Sequence, residues 1–263
     1  MMVSGDSRGR FAIQVINVNE LVEKLPWDTG FFGINVARLR VARIDRATLA
    51  AVLDWCRQEQ VMCLYYEADI NDPLSIHLAE SNGFKLVDVR VTLGIDLRCD
   101  MFNDSIDPVE GLVIRPFKRE DIPALELIAK ESCRSSRYYF DTEFPRGTCE
   151  RLYMVWIRNS CNGLADEVLV AELGGKPVGF LTCKIYKGFG RIVLVGIDPQ
   201  FRGQGIGSHL VSEAVRWFRD NGLNLIKVVT QARNIGAQRL YQAAGFKTLS
   251  VSLFYHKWFK DRS

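Results

Sequence analysis

The 263-residue sequence predicts a mixed α/β protein, and three observations support this class. Segments with the two-residue period of strands alternate with segments of helical period between residues 112 and 258. A glycine-rich turn at 202–207 follows an apolar run typical of a buried strand and precedes an amphipathic helix. The composition, 48% hydrophobic and 25% charged, is that of an ordinary globular protein rather than a disordered chain.

The elements after residue 111 are predicted in the order β-α-α-β-β-β-α-β-α-β. Pro123 fits only the first turn of a helix, and Asn221 with Gly222 ends the longest helix as a C-cap does. The predicted strands are 112–117, 168–173, 178–186, 191–197, 225–230 and 248–258. The predicted helices are 119–132, 148–159, 206–220 and 235–244.

The first part of the chain repeats some of this order. Asp45 caps a predicted helix that ends at residue 58. Further elements are expected as a strand at 61–67, a helix at 73–81 and a strand at 87–97. Residues 78–93 (LAESNGFKLVDVRVTL) resemble residues 240–255 (LYQAAGFKTLSVSLFY), which start 162 residues later. We interpret this as an internal repeat with a partial first copy, although any helix–glycine–strand corner shares these features.

A polar stretch at 98–111 (RCDMFNDSIDPVEG) divides the chain. Its Pro108, Gly111 and several Asp and Asn residues are typical of a linker or a long loop. We therefore expect a partial domain at residues 1–110 and one complete α/β domain at residues 111–263.

Charge and hydropathy exclude several classes of partner. Lys and Arg total 34 against 31 Asp and Glu, so the net charge of +3 and the absence of a long basic run argue against nucleic acid. The runs VLVAEL and IVLVGI are too short to cross a membrane. The polar start MMVSGDSRGR lacks the apolar segment of a secretory signal, so we expect a cytoplasmic protein.

The cysteines and histidines carry no metal or disulfide pattern. Seven cysteines are an odd number without a CxxC pair, which favours buried reduced thiols over a disulfide framework or a zinc ribbon. The three histidines are scattered and none belongs to an HExxH motif, so we predict no metal.

The turn at 202–207 (RGQGIG) carries the strongest chemical signal. Its glycines allow a ligand to approach the backbone closely, and the start of the next helix offers free N–H groups and a positive dipole end. Such a turn can hold a pyrophosphate. The spacing fits neither the dinucleotide fingerprint GxGxxG nor the Walker pattern.

Three motifs together resemble the GNAT family of acetyl-CoA-dependent N-acetyltransferases. They are residues 195–199 (VGIDP), 202–207 (RGQGIG) and 234–246 (NIGAQRLYQAAGF), and the likeness extends over residues 112–258. The resemblance implies the GNAT acyl-CoA N-acyltransferase fold, with a mixed and mostly antiparallel sheet. It also implies that residues 1–110 are a partial GNAT-like region.

The resemblance implies a role for each motif. The co-substrate is acetyl-CoA, and the phenol of Tyr241 would protonate its leaving thiolate as a general acid. The backbone N–H of Val195 could hold the developing oxyanion. The expected acetyl-CoA contacts are Val195, Gly196, Ile197, Arg202, Gly203, Gln204, Gly205, Ile206, Gly207, Ser208, Asn234, Ala237 and Tyr241.

The first copy of the repeat is expected to be non-catalytic, because Ala79 stands at the position of Tyr241 and no glycine-rich turn precedes it. No cysteine is a convincing acetyl carrier, which favours direct attack by the acceptor amine. Candidate bases are Asp141, Glu143 and Glu172, or a water relayed by them, although each is also typical of an ordinary surface or loop carboxylate.

Two segments bear on the acceptor. Residues 27–33 (WDTGFFG) before a truncated GNAT-like half resemble the dTDP-fucosamine acetyltransferase group, which implies transfer to the 4-amine of a dTDP-4-amino-4,6-dideoxy sugar for surface glycans. The expected acceptor contacts are Arg137, Tyr138, Asp141 and Tyr153. The arginine would face phosphate and the rings would stack on the base, although aromatics at helical spacing are also typical of a core.

Other functions remain open from the sequence. The acceptor could be a protein N-terminus, a ribosomal protein or an aminoglycoside, and the chain could also bind CoA without catalysis. Exposed final strands of such folds often pair, which suggests a homodimer.

Overall fold

The computed structural model describes residues 17–132 and 134–259, and the strands of this part form one ten-stranded sheet. The strands are β1 (Val22–Lys24), β2 (Val36–Leu39), β3 (Cys63–Asp69), β4 (Lys85–Asp96), β5 (Leu112–Pro116), β6 (Glu167–Leu173), β7 (Lys176–Tyr186), β8 (Phe189–Ile197), β9 (Leu225–Gln231) and β10 (Lys247–Trp258). The helices are α1 (Val18–Leu21), α2 (Pro26–Phe32), α3 (Arg46–Gln58), α4 (Pro73–Ser81), α5 (Ile122–Ser132), α6 (Arg137–Phe140), α7 (Arg146–Asn159), α8 (Ile206–Asp220) and α9 (Ile235–Ala243).

The sheet is mixed and mostly antiparallel, which confirms the predicted fold class. Its strand order is β1-β2-β3-β10-β4-β9-β8-β7-β6-β5, and only the pairs β2–β3 and β8–β9 are parallel. The short elements β1, β2, α1, α2 and α6 were not predicted, because segments this short carry too little periodicity to stand out.

The two parts of the chain exchange their last strands within this sheet. Strand β10 lies between β3 and β4, and β4 lies between β10 and β9. Ser252 of β10 faces Asp69 of β3, while Arg90 of β4 faces Gln231 of β9. Each of these residues lies 162 positions from its counterpart in the other pair, the offset found between the similar sequence segments. Such a shared register is what an internal repeat produces, and residues 1–110 and 111–263 consequently share one sheet.

The exchange places much of the final strand inside the sheet rather than at its edge. Strand β10 pairs through residues 252–258 with β3 on one side and through residues 247–256 with β4 on the other, so most of its backbone hydrogen-bonding groups are already used. The edge strands of the described sheet are β1 and β5. The expectation of an exposed final strand is wrong for residues 252–256, because they are paired on both sides and offer no free edge, while the homodimer itself stays a prediction.

Helices cover both faces of the sheet and form the core with it. On one face, the predicted apolar side of α8 is buried against the central strands through Leu210, Val211, Ala214 and Phe218. Helices α5, α6 and α7 cover the opposite face with a second apolar cluster. Helix α3, whose N-cap Asp45 accepts from the N–H of Thr48, forms a third cluster with the first strands. The candidate site lies where α8 and α9 meet the middle of the sheet.

Candidate active site

Strands β8 and β9 separate part-way along their length. They pair at only three positions, Gly190 with Ile226, Arg191 with Lys227, and Ile192 with Val228. Beyond Ile192 the register of β8 with its other neighbour shifts at a bulge, and the backbone N–H of Leu194 turns to the Thr182 hydroxyl, 3.0 Å away. Bulges bend a strand, so the two backbone edges diverge and leave an unpaired gap.

A cavity of about 720 Å³ occupies this gap and extends to the face covered by α5, α6 and α7. Most of the predicted acetyl-CoA contacts line it. They are Val195, Ile197, Arg202, Gly203, Gly205, Ile206, Gly207, Ser208, Asn234, Ala237 and Tyr241. An extended thioester arm can therefore lie between the two strands as an additional strand would.

Two of the predicted contacts lie beside the cavity instead. A Cβ at Gly196 would lie 2.5 Å from the ring of Phe180, so only a glycine here lets the strand pack closely against that ring. Gln204 lines a neighbouring cavity of about 410 Å³ between the glycine turn and the linker residues 102–109. The linker therefore forms one wall of the space next to the turn.

The glycine turn has the geometry of an anion site. Gly203 and Gly205 have φ angles of +77° and +81°, which L-residues with a side chain rarely adopt. Gly205 is the N-cap of α8, so the free N–H groups and the positive dipole end of a 15-residue helix face the cavity. The guanidinium of Arg202 instead donates to the carbonyl of Ile197 at 3.2 Å, which fastens the turn to β8.

Close contact of two helices brings Tyr241 to the cavity. A Cβ at Gly207 of α8 would lie 3.1 Å from a methyl carbon of Leu240 on α9, so glycine allows the helices to approach. The Asn234 side chain caps α9 by accepting from the N–H of Ala237 at 3.3 Å. Tyr241 then lies on the cavity wall with only 4% of its surface exposed.

Arginines and aromatic rings line the other end of the cavity. Arg137 and Tyr153 lie there as predicted, and the ring of Tyr153 stacks on Trp156 with centroids 5.9 Å apart. The guanidinium of Arg137 lies 4.5 Å from the ring centroid of Phe254. Arg191 projects from the start of β8. We name this region, with Asp88 and Arg90 of β4, the acceptor end.

Residues 27–33 (WDTGFFG) contact the side chains that hold Arg137 in place. Arg137 donates to the hydroxyl of Tyr138 at 2.6 Å, and this hydroxyl lies 3.4 Å from Asp28. Burial raises the pKa of Asp28. Phe32 contacts Phe144, with ring centroids 4.5 Å apart. Tyr138 therefore positions Arg137 and does not itself line the cavity.

The three carboxylates predicted as bases lie outside the cavity. Asp141 accepts hydrogen bonds from His256 at 2.6 Å and from Trp258 at 2.8 Å, so it is neither a cavity contact nor available to a substrate. Glu143 lies 3.7 Å from Lys85. Glu172 pairs with an arginine of the neighbouring strand β5. The residue types suited the chemistry, but sequence spacing does not show which way they face.

The buried pair of His256 and Asp141 predicts acid-sensitive stability. Burial lowers the pKa of His256 to about 4, although the bond to Asp141 opposes this. Burial alone would raise the pKa of Asp141, but hydrogen bonds from His256 and Trp258 lower it. A group whose pKa is lower in the folded than in the unfolded state stabilises the fold at a pH above its unfolded-state pKa. Both groups therefore lose this stabilisation as the pH falls from the unfolded-state pKa through the folded-state pKa. Between pH 6.5 and 4, the Tm should fall less steeply for His256→Gln than for the wild type.

The matched control for this measurement is His77→Gln, because His77 is exposed on α4. This variant should keep the wild-type dependence of Tm on pH. Equal slopes for His256→Gln and the wild type would contradict the role of the buried pair.

Three residues of the acceptor end were not predicted from the sequence, namely Asp88, Arg90 and Arg191. Asp88 and Arg90 alternate along a strand, a pattern that equally suits a solvent-facing side. Only the exchange of strands brings β4 next to β9 and therefore to the cavity.

Most of the described cysteines are buried, and they lie away from the cavity. Cys56, Cys63, Cys149 and Cys183 are buried, and none of the six described cysteines lines the cavity. Burial raises the pKa of Cys56 to about 12, and thiols of this kind react poorly.

Residues 17–132 and 134–259 include no cluster of three or more His, Cys, Asp or Glu side chains able to hold a metal ion. In the same part of the chain, no helix is both long and apolar enough to span a membrane.

Comparisons with known proteins agree with this geometry. The profile of the acetyltransferase (GNAT) family matches residues 131–246. The chain is 25% identical to the dTDP-fucosamine acetyltransferase of Escherichia coli O6:H1, over 91% of this chain and 99% of that protein. It is 29% identical to the spore coat polysaccharide biosynthesis protein SpsD of Bacillus subtilis, over 52% of this chain and about half (48%) of that protein's length.

The fold is also similar to that of a solved structure. A GCN5-related N-acetyltransferase from Sphaerobacter thermophilus superimposes with a TM-score of 0.62 at 18% identity, over 90% of this chain and 76% of that one. The splayed strands, the glycine turn and the matched profile agree: residues 131–246 form an acetyl-CoA-dependent N-acetyltransferase domain of the GNAT family.

Proposed function

We propose that the chain transfers the acetyl group of acetyl-CoA to the 4-amine of a dTDP-amino sugar in surface-glycan biosynthesis. The observation that carries the acceptor class is the charge of the cavity. Its charged lining residues are four arginines and one carboxylate, and Arg90, Arg137 and Arg191 lie at the acceptor end. Guanidinium groups bind phosphate oxygens in a bidentate manner, so a nucleoside diphosphate suits this end.

The aromatic residues of the acceptor end fit the base of such a substrate. The stacked rings of Tyr153 and Trp156 line the cavity together with Tyr186. Nucleobases stack on aromatic side chains, and they also stack on the planar faces of guanidinium groups. The names of the Escherichia coli and Bacillus subtilis relatives, which refer to an amino sugar and to a polysaccharide, support the same class.

The alternative acceptors fit less well. An aminoglycoside is a polycation and would meet the positive charge of Arg137 and Arg191. A protein N-terminus or a ribosomal protein would leave the arginines without phosphate partners. A CoA-binding protein without activity would not need Tyr241 on the cavity wall.

We also propose that the cofactor site belongs to residues 111–263 alone. In residues 1–110, Ala79 occupies the place of Tyr241 and is fully buried in the third apolar cluster. Helix α3 starts at Asp45 without a glycine turn, in contrast to the start of α8. At the positions equivalent to the glycine turn and Tyr241, the described residues 17–110 therefore offer neither an anion-binding turn nor an acid.

The proposed mechanism is direct attack of the amine on the thioester. The turn at 203–208 holds the pyrophosphate, and the gap between β8 and β9 holds the arm so that the Val195 N–H faces the acetyl carbonyl. Tyr241 protonates the leaving thiolate. The absence of a cysteine from the described cavity wall favours this route over an acetyl-enzyme intermediate.

An acceptor panel tests the proposal. Release of the CoA thiol and formation of acetylated product would be measured with dTDP-4-amino-4,6-dideoxygalactose, an aminoglycoside and a peptide with a free N-terminus. We expect turnover with the nucleotide sugar. Turnover with the peptide or the drug but not with the sugar would overturn the acceptor class, and acetyl-CoA binding without any turnover would favour the non-catalytic alternative.

Arg191→Gln should raise the KM for the nucleotide sugar about tenfold to a hundredfold, because a lost charge-assisted bond to phosphate costs about 1.5–3 kcal/mol. The KM for acetyl-CoA should stay within about twofold, since the glycine turn binds that pyrophosphate. Arg219→Gln, at the exposed end of α8, is the matched control and should leave both constants unchanged. An unchanged KM for the sugar in Arg191→Gln would contradict the phosphate contact.

A further inference from the structure

We propose that Asp88 is a catalytic residue that accepts the proton of the attacking amine, so that the first part of the chain contributes a group to the chemistry. The inference rests on the proposed amine transfer and adds the base that the carboxylates chosen from the sequence do not supply. It does not depend on which amine is the natural acceptor.

The position of Asp88 follows from the strand exchange. The pairing of β4 with β9 runs as far as Arg90 and Gln231. Asp88 lies two residues before Arg90 on β4 and on the same face of the sheet, beyond the last residue paired with β9. It therefore lies next to the loop that leads from β9 to α9. The N–H of Ala232 in that loop donates to Val89 at 2.7 Å, which holds β4 in place.

The Asp88 carboxylate has an unused acceptor atom. Asp88 lines the cavity with only 3% of its surface exposed, and its Oδ1 is buried without a hydrogen-bond partner among the described residues. The nearest cation is Arg233, whose Nη1 lies 3.6 Å from Oδ1, beyond hydrogen-bonding distance. A buried carboxylate oxygen without a donor is costly, and a substrate N–H group would supply that donor.

The charges around Asp88 suit a base that works near neutral pH. Burial raises its pKa to about 6, and the opposing effects come from Arg233, from the N–H of Val89, and from Arg137 and Arg90. Arg90 is itself paired with Glu67 of β3 at 2.6 Å. At pH 7 the carboxylate is ionised yet more basic than an ordinary aspartate, which is the condition for efficient proton transfer.

The proposed step balances as follows. The lone pair of the amine nitrogen attacks the acetyl carbon, an N–C bond forms, and the C–S bond of the thioester breaks. One proton passes from the nitrogen to the carboxylate of Asp88, and the CoA thiolate takes a proton from the hydroxyl of Tyr241. Solvent then removes the proton from Asp88 and restores that of Tyr241.

The test compares Asp88→Asn with the wild type over pH 5 to 9.5, using whichever amine of the panel the wild type acetylates. Near pH 7 we expect kcat/KM to fall about 10²- to 10⁴-fold. The wild-type profile should show an acidic limb near pH 6 that the variant lacks, so the deficit of the variant should shrink as the pH falls below 6. Asp96→Asn, near the other end of β4, is the matched control and should keep the wild-type profile.

Acetyl-CoA binding, measured by calorimetry, reports folding independently of chemistry and should be unchanged in Asp88→Asn. If that variant does not bind acetyl-CoA, Asp88→Glu replaces it, and a displaced acidic limb supports the proposal. The proposal would be overturned by a kcat/KM of Asp88→Asn equal to that of the wild type, or by a deficit that does not change with pH. An acidic limb at the wild-type position in Asp88→Glu would overturn it as well. Wild-type turnover with an amine other than the nucleotide sugar would overturn only the proposed acceptor, so the two failures are distinguishable.

Discussion

Tyr241→Phe should lower kcat by about 10²- to 10⁴-fold, the range that general-acid catalysis contributes. Tyr241 lies on the wall of the cavity proposed to receive the thioester, and its side chain is nearly inaccessible to bulk water. Without it, the CoA thiolate must leave unprotonated or wait for a water molecule. Because the substitution removes one oxygen and keeps the ring, the affinity for acetyl-CoA should change little.

Steady-state kinetics at saturating acetyl-CoA measures this effect. The control is Tyr255→Phe, a buried tyrosine on β10 whose hydroxyl donates to Glu80 at 3.1 Å, outside the cavity. This control should keep kcat within about twofold. Turnover of Tyr241→Phe at the wild-type rate would rule out the general-acid role.

Phe218→Ala should lower the free energy of unfolding by about 3–5 kcal/mol, since the ring is fully buried and its loss leaves a cavity. The ring lies beneath the closed end of the strand gap, because a Cβ at Gly190 would come within 2.4 Å of it. Gly190 and Ile226 form one of the few pairs that hold β8 to β9. The substitution should therefore also weaken acetyl-CoA binding.

Denaturant unfolding gives the stability, and calorimetry gives the affinity. Leu127→Ala on α5 is the matched control, because this leucine is 62% exposed and its truncation should cost less than about 0.5 kcal/mol. A loss for Phe218→Ala as small as that of the control would show that the ring does not support the core.

The chemistry of acetyl-CoA could be predicted from the sequence because it resides in short motifs. The glycines of the turn need left-handed backbone angles, the helix behind them needs a free N-terminus, and Tyr241 lies one helix away at a set spacing. Such features depend on neighbours within a few residues, so local spacing carries them. The bounds of α4 and α8 and the N-cap Asp45 were predicted for the same reason.

The acceptor end could not be predicted in this way. Asp141 has a residue type suited to base catalysis, yet it faces His256 of a strand 115 positions away. Arg137 is conspicuous in the sequence as an arginine among aromatic residues and does line the cavity, while Arg191 lies inside an ordinary strand pattern.

The sequence by itself determined the α/β class, the order of most elements, the glycine turn and the place of Tyr241 on its helix, since all of these follow from residue type and local period. Only the tertiary structure decided that β4 and β10 exchange places in one sheet. That exchange brings Asp88 and Arg90 to a cavity built mainly by the other part of the chain. The physical reason is that strand pairing joins residues far apart in sequence, and no short-range pattern encodes which partner a strand will find.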